Sequence, residues 1–273
     1  MELFQSTDYE LFLHQLTPST AKTYDFVLQK FHAYLKASGG SLERFTRSDV
    51  QTYLNTQLNR KMAPSSVSKI YHAIRKWAKY TNQQVSVEEI RIPRPARLSD
   101  MPVKSLDRNE RHRLVREVER NGNMRDIAIV HVLLETGLRV MELVSLDIDS
   151  VTIGERSGSV RVIGKRNKER KIPLPPDARY WLRKYISERK EGPVFLSTHK
   201  RRVSINTVQK MLVKYGIHPH MLRHTYCRTL VSSGADLAMV ATLAGHSDVN
   251  VTRRYAIPSE EERGEMVERA FTR

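Results

Sequence analysis

Between residues 91 and 104 the chain reads RIPRPARLSDMPVK, with three prolines and no apolar period. Proline removes a backbone donor and clashes with the turn before it, so neither a helix nor a central strand can run through this stretch. It predicts a linker, and a length of 273 residues leaves room for a domain on each side. The organisation expected is a first domain over 1–90, the linker 91–104, a second domain over 105–258 and a tail over 259–273. The linker's four Arg and Lys residues either lie along a polyanion or only solvate a hinge.

The first domain reads as helices. From Thr20 to Ala37 the apolar positions Tyr24, Val27, Leu28, Phe31, Tyr34 and Leu35 fall on one helical face, and Gly39-Gly40 ends the run. A shorter helix follows Ser48, with Val50, Tyr53 and Leu54 turned inward. Another starts near Pro64-Ser65 and turns Val67, Ile70, Tyr71, Ile74 and Trp77 inward, leaving Lys69, Arg75, Lys76 and Lys79 on the opposite face. These helices predict an all-α bundle with a basic side.

The second domain opens on Asp107-Arg108-Asn109-Glu110, which has capping-box spacing. Helices are expected to about Asp147, two strands over Val160–Gly164 and Arg170–Leu174 around the turn KRNKE, and helices again from about Ala178. The class predicted is mainly helical α+β with a small antiparallel sheet. Ser259 followed by three glutamates starts a tail helix to about Phe271, with Met266, Val267, Ala270 and Phe271 as its apolar stripe.

Charge narrows the partner. The net charge is +16, most of it in residues 95–258, which favours a polyanionic partner, nucleic acid first and a membrane surface second. No apolar run has membrane-spanning length, and MELFQSTDYE does not read as a signal peptide. The single cysteine, Cys227, excludes an internal disulfide and a cysteine-based zinc cluster. A cytoplasmic protein is expected, with no metal and no cofactor.

Four segments carry chemistry. In TGLRVMEL (136–143), Gly137 ends a helix and Arg139 sits where the next begins, beside free N–H groups that suit a phosphate; Glu142, one turn on, is placed to orient it. An ordinary surface pair of Arg139 with Glu142 fits the same spacing. In PHMLRHTYC (219–227), His220 and Arg223 share a helical face while His224 points elsewhere; a proton carrier beside a phosphate clamp, or a helix cap beside a surface arginine, both fit. In AGHSDVNVTRRY (244–255), Gly245 breaks a helix, His246 stands at the bend, and Tyr255 follows nine residues later. In GKRNKER (164–170), Lys165 leads a basic turn with Arg166 and Lys168 that either donates a proton to a leaving oxygen or only touches phosphates.

Together, and in this order, these segments resemble the tyrosine recombinases, the integrase-type DNA breaking-rejoining enzymes, and their compact Xer-like members in particular. The resemblance covers nearly the whole chain, including LTPSTAKTYDFVLQKFHAYL in the first domain. Ala244 in place of a leucine, and Cys227-Arg228 in place of small residues, are departures that remove no functional group. The resemblance implies a SAM-like core-binding bundle and a catalytic domain that together clamp a duplex. It implies Arg139, Lys165, His220, Arg223, His246 and Tyr255 as the catalytic set, Glu142 as its acidic support, and a 3′-phosphotyrosine intermediate formed without metal or ATP. In that scheme the arginines and His246 hold the phosphate, His220 helps take the Tyr255 proton, and Lys165 protonates the 5′ oxygen. Lys69, Arg75, Lys76, Lys79, Arg166 and Lys168 would contact DNA. The DNA would carry paired inverted half-sites, filled by a dimer and, in synapsis, a tetramer. Two rival readings, a type IB topoisomerase-like nicking-closing enzyme and a catalytically idle DNA-binding regulator, differ in assembly and in completeness of the residue set.

Overall fold

The computed structural model of the chain describes residues 4–94, 103–164, 169–246, 248–257 and 260–272. Its internal contacts divide the chain into residues 1–97 and 98–273.

In the first unit, α1 (Thr7–His14), α2 (Pro18–Ala37), α3 (Arg47–Asn59) and α4 (Pro64–Tyr80) are followed by a 3-10 turn at Gln84–Val87. Leu28, Phe31 and Leu35 of α2, Leu54 of α3, and Ile74 and Trp77 of α4 are fully buried together. The Trp77 indole donates to Leu42 O at 2.9 Å, so the largest core side chain leaves no orphan polar group. Lys69, Arg75, Lys76 and Lys79 are all exposed. Helix α1 was not foreseen. Its Tyr9 and Phe12, with Phe4 before it, pack edge-on against Trp77, and Gln29 holds the Phe4 backbone at 2.8 and 2.9 Å. Helix α3 starts before Ser48 because Thr46 and Asp49 form a capping box.

In the second unit, α5 (Arg108–Arg120) carries the Asp107–Glu110 capping box and leads into α6 (Met124–Thr136). Helix α6 is buried nearly all round and forms the centre of the core. The short α7 (Val140–Val144) follows, then a sheet ordered β1 (Val151–Ile153), β2 (Gly158–Ile163), β3 (Glu169–Pro173), antiparallel throughout. Val160 pairs with Ile172 in register, and both face the core. Strand β1 was missed, since three residues carry no readable period. Helices α8 (Pro176–Ile186), α9 (Ile205–Val213), α10 (Pro219–Ser232), α11 (Leu237–Ala244), α12 (Asn250–Arg253) and α13 (Glu260–Phe271) complete the unit. Helix is not continuous after Ala178: residues 187–204 form a loop with isolated bridges, Asp147 to Pro193 and Leu196 to Arg202. In α13, Val267 and Phe271 stand exposed, and Ser259 and the Met266 side chain lie outside the described residues. Among the described residues no helix is long and apolar enough to cross a membrane.

Candidate active site

Two glycine bends organise the site. Gly137 caps α6 at φ +61° and Gly245 caps α11 at φ +66°, a conformation that costs other residues about 1 kcal/mol or more. A Cβ on Gly137 would run into the Tyr226 ring. Helix C-termini present unpaired carbonyls with partial negative charge, and guanidinium groups answer it. Arg223, on α10 and only 4% exposed, donates to Gly137 O at 2.6 Å and to Ala244 O. Arg139, at the start of α7, donates to Gly245 O at 3.0 Å. Each of the two arginines therefore rests on a bend.

Glu142 closes the first turn of α7. Its carboxylate accepts from Arg139 N at 2.8 Å and from Arg139 Nη1 at 2.9 Å. It also receives both Nη atoms of Arg170 on β3, at 3.0 and 2.9 Å. Burial opposes its charge, but the bonds from Arg170 and Arg139 outweigh burial and hold its pKa below the ordinary carboxylate value.

Within electrostatic reach of Arg223, Tyr255 follows α12 and is 4% exposed. The His246 ring stacks on it at 6.2 Å, 9° from parallel, and His246 Nδ1 meets Thr252 Oγ1 at 2.9 Å. The Tyr255 hydroxyl meets His224 Nδ1 at 2.8 Å. Tyr226, Cys227, Val240 and Ala244 enclose it in a small apolar cluster. His220 is exposed in the first turn of α10, between the rings of His218 at 5.5 Å and His224 at 6.2 Å.

Comparison with known proteins decides the family. The phage integrase family profile matches residues 104–262, and the phage integrase N-terminal SAM-like domain matches residues 8–84. The chain belongs to the phage integrase family. It is 31% identical over 271 residues to the tyrosine recombinase XerD of Haemophilus ducreyi, covering 90% of this chain and 89% of that protein. Identity to XerD of Pasteurella multocida is 30% over 297 residues, 97% of each chain. Among solved structures, the fold matches the XerH recombinase bound to its difH substrate with a TM-score of 0.71 at 19% identity, covering 90% of this chain and 78% of that one. It matches a lambda integrase dimer bound to a COC′ core site with a TM-score of 0.70 at 16% identity, covering 89% and 95%. This phage integrase is a tyrosine site-specific recombinase, and DNA is its partner.

Electrostatics in the recombinase set the resting protonation states. Burial, then Arg223 and Arg139, lower the His246 pKa to about 4. Burial and Arg254 lower that of His224 to about 4. The covered part of the His220 ring loses enough water to lower its pKa as well, helped by His218, Arg223 and Arg139. The histidines nearest the arginines are therefore neutral at pH 7. Burial raises the Tyr255 phenol above its ordinary value, and the nearby Arg223 and Arg254 only partly offset this.

Of the residues singled out from the sequence of this recombinase, the structure gathers Arg139, Glu142, His220, Arg223, His246 and Tyr255. Lys165, Arg166 and Lys168 lie outside the described residues. Lys69, Arg75, Lys76 and Lys79 belong to the other unit. Two corrections follow. His224 does not point away from the chemistry: one step further round α10 than Arg223, it reaches the Tyr255 hydroxyl, the contact expected of His220. Arg170, read only as the edge of a strand, is the second partner of Glu142. No local spacing signalled either contact, since the partners lie 31 and 28 residues apart.

Proposed function

We propose that this recombinase breaks a DNA strand with Tyr255 as nucleophile, forming a 3′-phosphotyrosine bond, and rejoins it to a new strand. The observation that carries this reading is the seating of Arg139 and Arg223 on the two bends that flank the His246–Tyr255 stack. Arg139 and Arg223 bind the non-bridging oxygens and stabilise the charge that grows on them. His246, with Nδ1 taken by Thr252, offers its Nε2–H as a third donor. His220 stands beside Arg223 at the open rim, and Lys165 protonates the departing 5′ oxygen. Because Tyr255 is buried and tied to His224, cleavage follows a shift of the α12 segment that frees the hydroxyl. These cations supply the electrostatics that a metal pair gives other phosphoryl-transfer enzymes, so the reaction needs neither metal nor ATP.

Lys69, Arg75, Lys76, Lys79, Arg166 and Lys168 contact backbone phosphates, and the basic linker 91–104 follows the duplex. The DNA, reached in the cytoplasm, carries paired inverted half-sites, each pair filled by a dimer and joined in a tetramer. Helix α13, with Val267 and Phe271 uncovered, docks on the neighbouring protomer. The test is a nicked suicide duplex from which the cleaved end diffuses away. Wild type should accumulate a denaturation-resistant adduct, and Tyr255→Phe should bind but form none. An adduct in that variant would move the nucleophile elsewhere, and Tyr226, with its ring against Gly137, would be examined first.

A further inference from the structure

Glu142 carries one negative charge between two guanidinium groups that use it differently. Arg170 grips both carboxylate oxygens, at 3.0 and 2.9 Å, and its Nε donates to Leu243 O at 3.2 Å. Its side chain is 10% exposed, so its fork is turned inward and already committed. Arg139 touches the same carboxylate with one Nη at 2.9 Å and is 39% exposed. Arg139 and Glu142 alone sum to zero charge; with Arg170 the group sums to +1. In a site where Glu142 is 9% exposed, screening by water is weak and that difference is felt at close range.

We propose that Arg170 is a positioning residue of the phosphate site, which neutralises Glu142 so that the positive charge and free donors of Arg139 remain available to the scissile phosphate. Without Arg170, the carboxylate would turn to Arg139, take both its Nη atoms in a bidentate pair and cancel its field. Arg170 also sets the second acceptor of Arg139. Its guanidinium lies over Gly245, where an added Cβ would meet Nη1 at 2.7 Å, and Gly245 O is the carbonyl that receives Arg139 Nη2. One side chain on β3 thus fixes both protein contacts of Arg139, and it does so without reaching the substrate. The inference rests on Arg139 being a phosphate ligand.

The test is single-turnover cleavage of the suicide duplex at saturating protein, for Arg170→Met, Glu142→Gln, the double variant and Arg139→Ala, with half-site affinity and thermal midpoint measured in parallel. Arg170→Met should slow cleavage on the order of 100-fold, the scale of losing a preorganised charged donor, with half-site affinity nearly unchanged. Adding Glu142→Gln removes a further partner, yet it should restore about tenfold of the loss, because it removes the charge that captures Arg139. A structural role predicts the opposite order, with the double variant slowest. A double variant no faster than Arg170→Met, or an Arg170→Met as fast as wild type, overturns the proposal. Normal cleavage by Arg139→Ala would instead remove the reading on which it rests. If Arg170→Met does not fold, Arg170→Gln with and without Glu142→Gln is read in the same way.

Discussion

At the scale of single residues, the proposed reaction separates groups that bind from groups that react. Arg139 and Arg223 are fastened to backbone carbonyls, so in the proposed reaction little reorganisation is left for the transition state. Arg139→Ala or Arg223→Ala should therefore raise the barrier to cleavage by about 3–4 kcal/mol. Site affinity should change far less, since many other phosphate contacts remain. Equal losses of rate and affinity in a binding-and-cleavage titration would make them ordinary binding residues. His131 on α6 has a different task. Its Nδ1 meets Glu135 at 2.8 Å and its Nε2 meets Glu119 at 3.1 Å, with its side chain 5% exposed. Burial disfavours its charge, but the two carboxylates prevail and raise its pKa above the ordinary value. A raised folded-state pKa means stability that is complete below the unfolded pKa of about 6.5 and lost as pH rises through the folded value. His131→Gln should lower stability by about 1–3 kcal/mol at pH 6, and less above the folded pKa. Thermal midpoints from pH 5.5 to 9 check this; a loss independent of pH would mean packing alone.

At the scale of elements, the bends matter more than the helices they end. Helices α6 and α11 both stop at a left-handed glycine, and the freed carbonyls receive Arg223, with Gly245 O receiving Arg139. Helix α13 works by a different logic. Its start is acidic, its Val267 and Phe271 are exposed, and a twelve-residue helix is marginal in water without a surface to pack on. Deleting residues 260–273 should leave a folded protein that binds one half-site normally. It should lose cooperative filling of paired half-sites and most recombination. Gel-shift titrations on one and two half-sites measure this; unchanged cooperativity would rule out docking between protomers, and a lost fold would place the helix on its own domain.

At the scale of the whole molecule, the +16 charge serves two ends. Spread over the surface it draws in DNA, and in the proposed reaction the cations gathered at one phosphate stand in for a metal. Covalent adduct formation should therefore be unchanged, within about twofold, in excess EDTA. Adduct lost in EDTA and restored by Mg²⁺ would contradict a mechanism built on side-chain cations.

Much of this chain is decided within a few residues. Amphipathic periods place α2 and α4, the Asp107–Glu110 box starts α5, and Gly137 and Gly245 end α6 and α11. All are interactions within one or two helical turns, so they stand in the sequence whatever the rest of the chain does. The kinds of residue at Arg139, Arg223, His246 and Tyr255 were legible in the same way, as motifs. Their partners were not. Arg223 finds Gly137 O across 86 residues, Arg170 finds Glu142 across 28, and His224 finds Tyr255 across 31. Which neighbour a side chain meets depends on how α10, β3 and α12 pack, and local spacing holds no record of that. Helix α1 escaped for the same reason, since it is held by Trp77, far along the chain, whereas strand β1 escaped because three residues carry no readable period. The sequence by itself determined the fold class and the chemistry available; only the tertiary structure decided which arginine faces outward and which histidine holds the phenol, because those choices are made by burial and by partners far away in the chain.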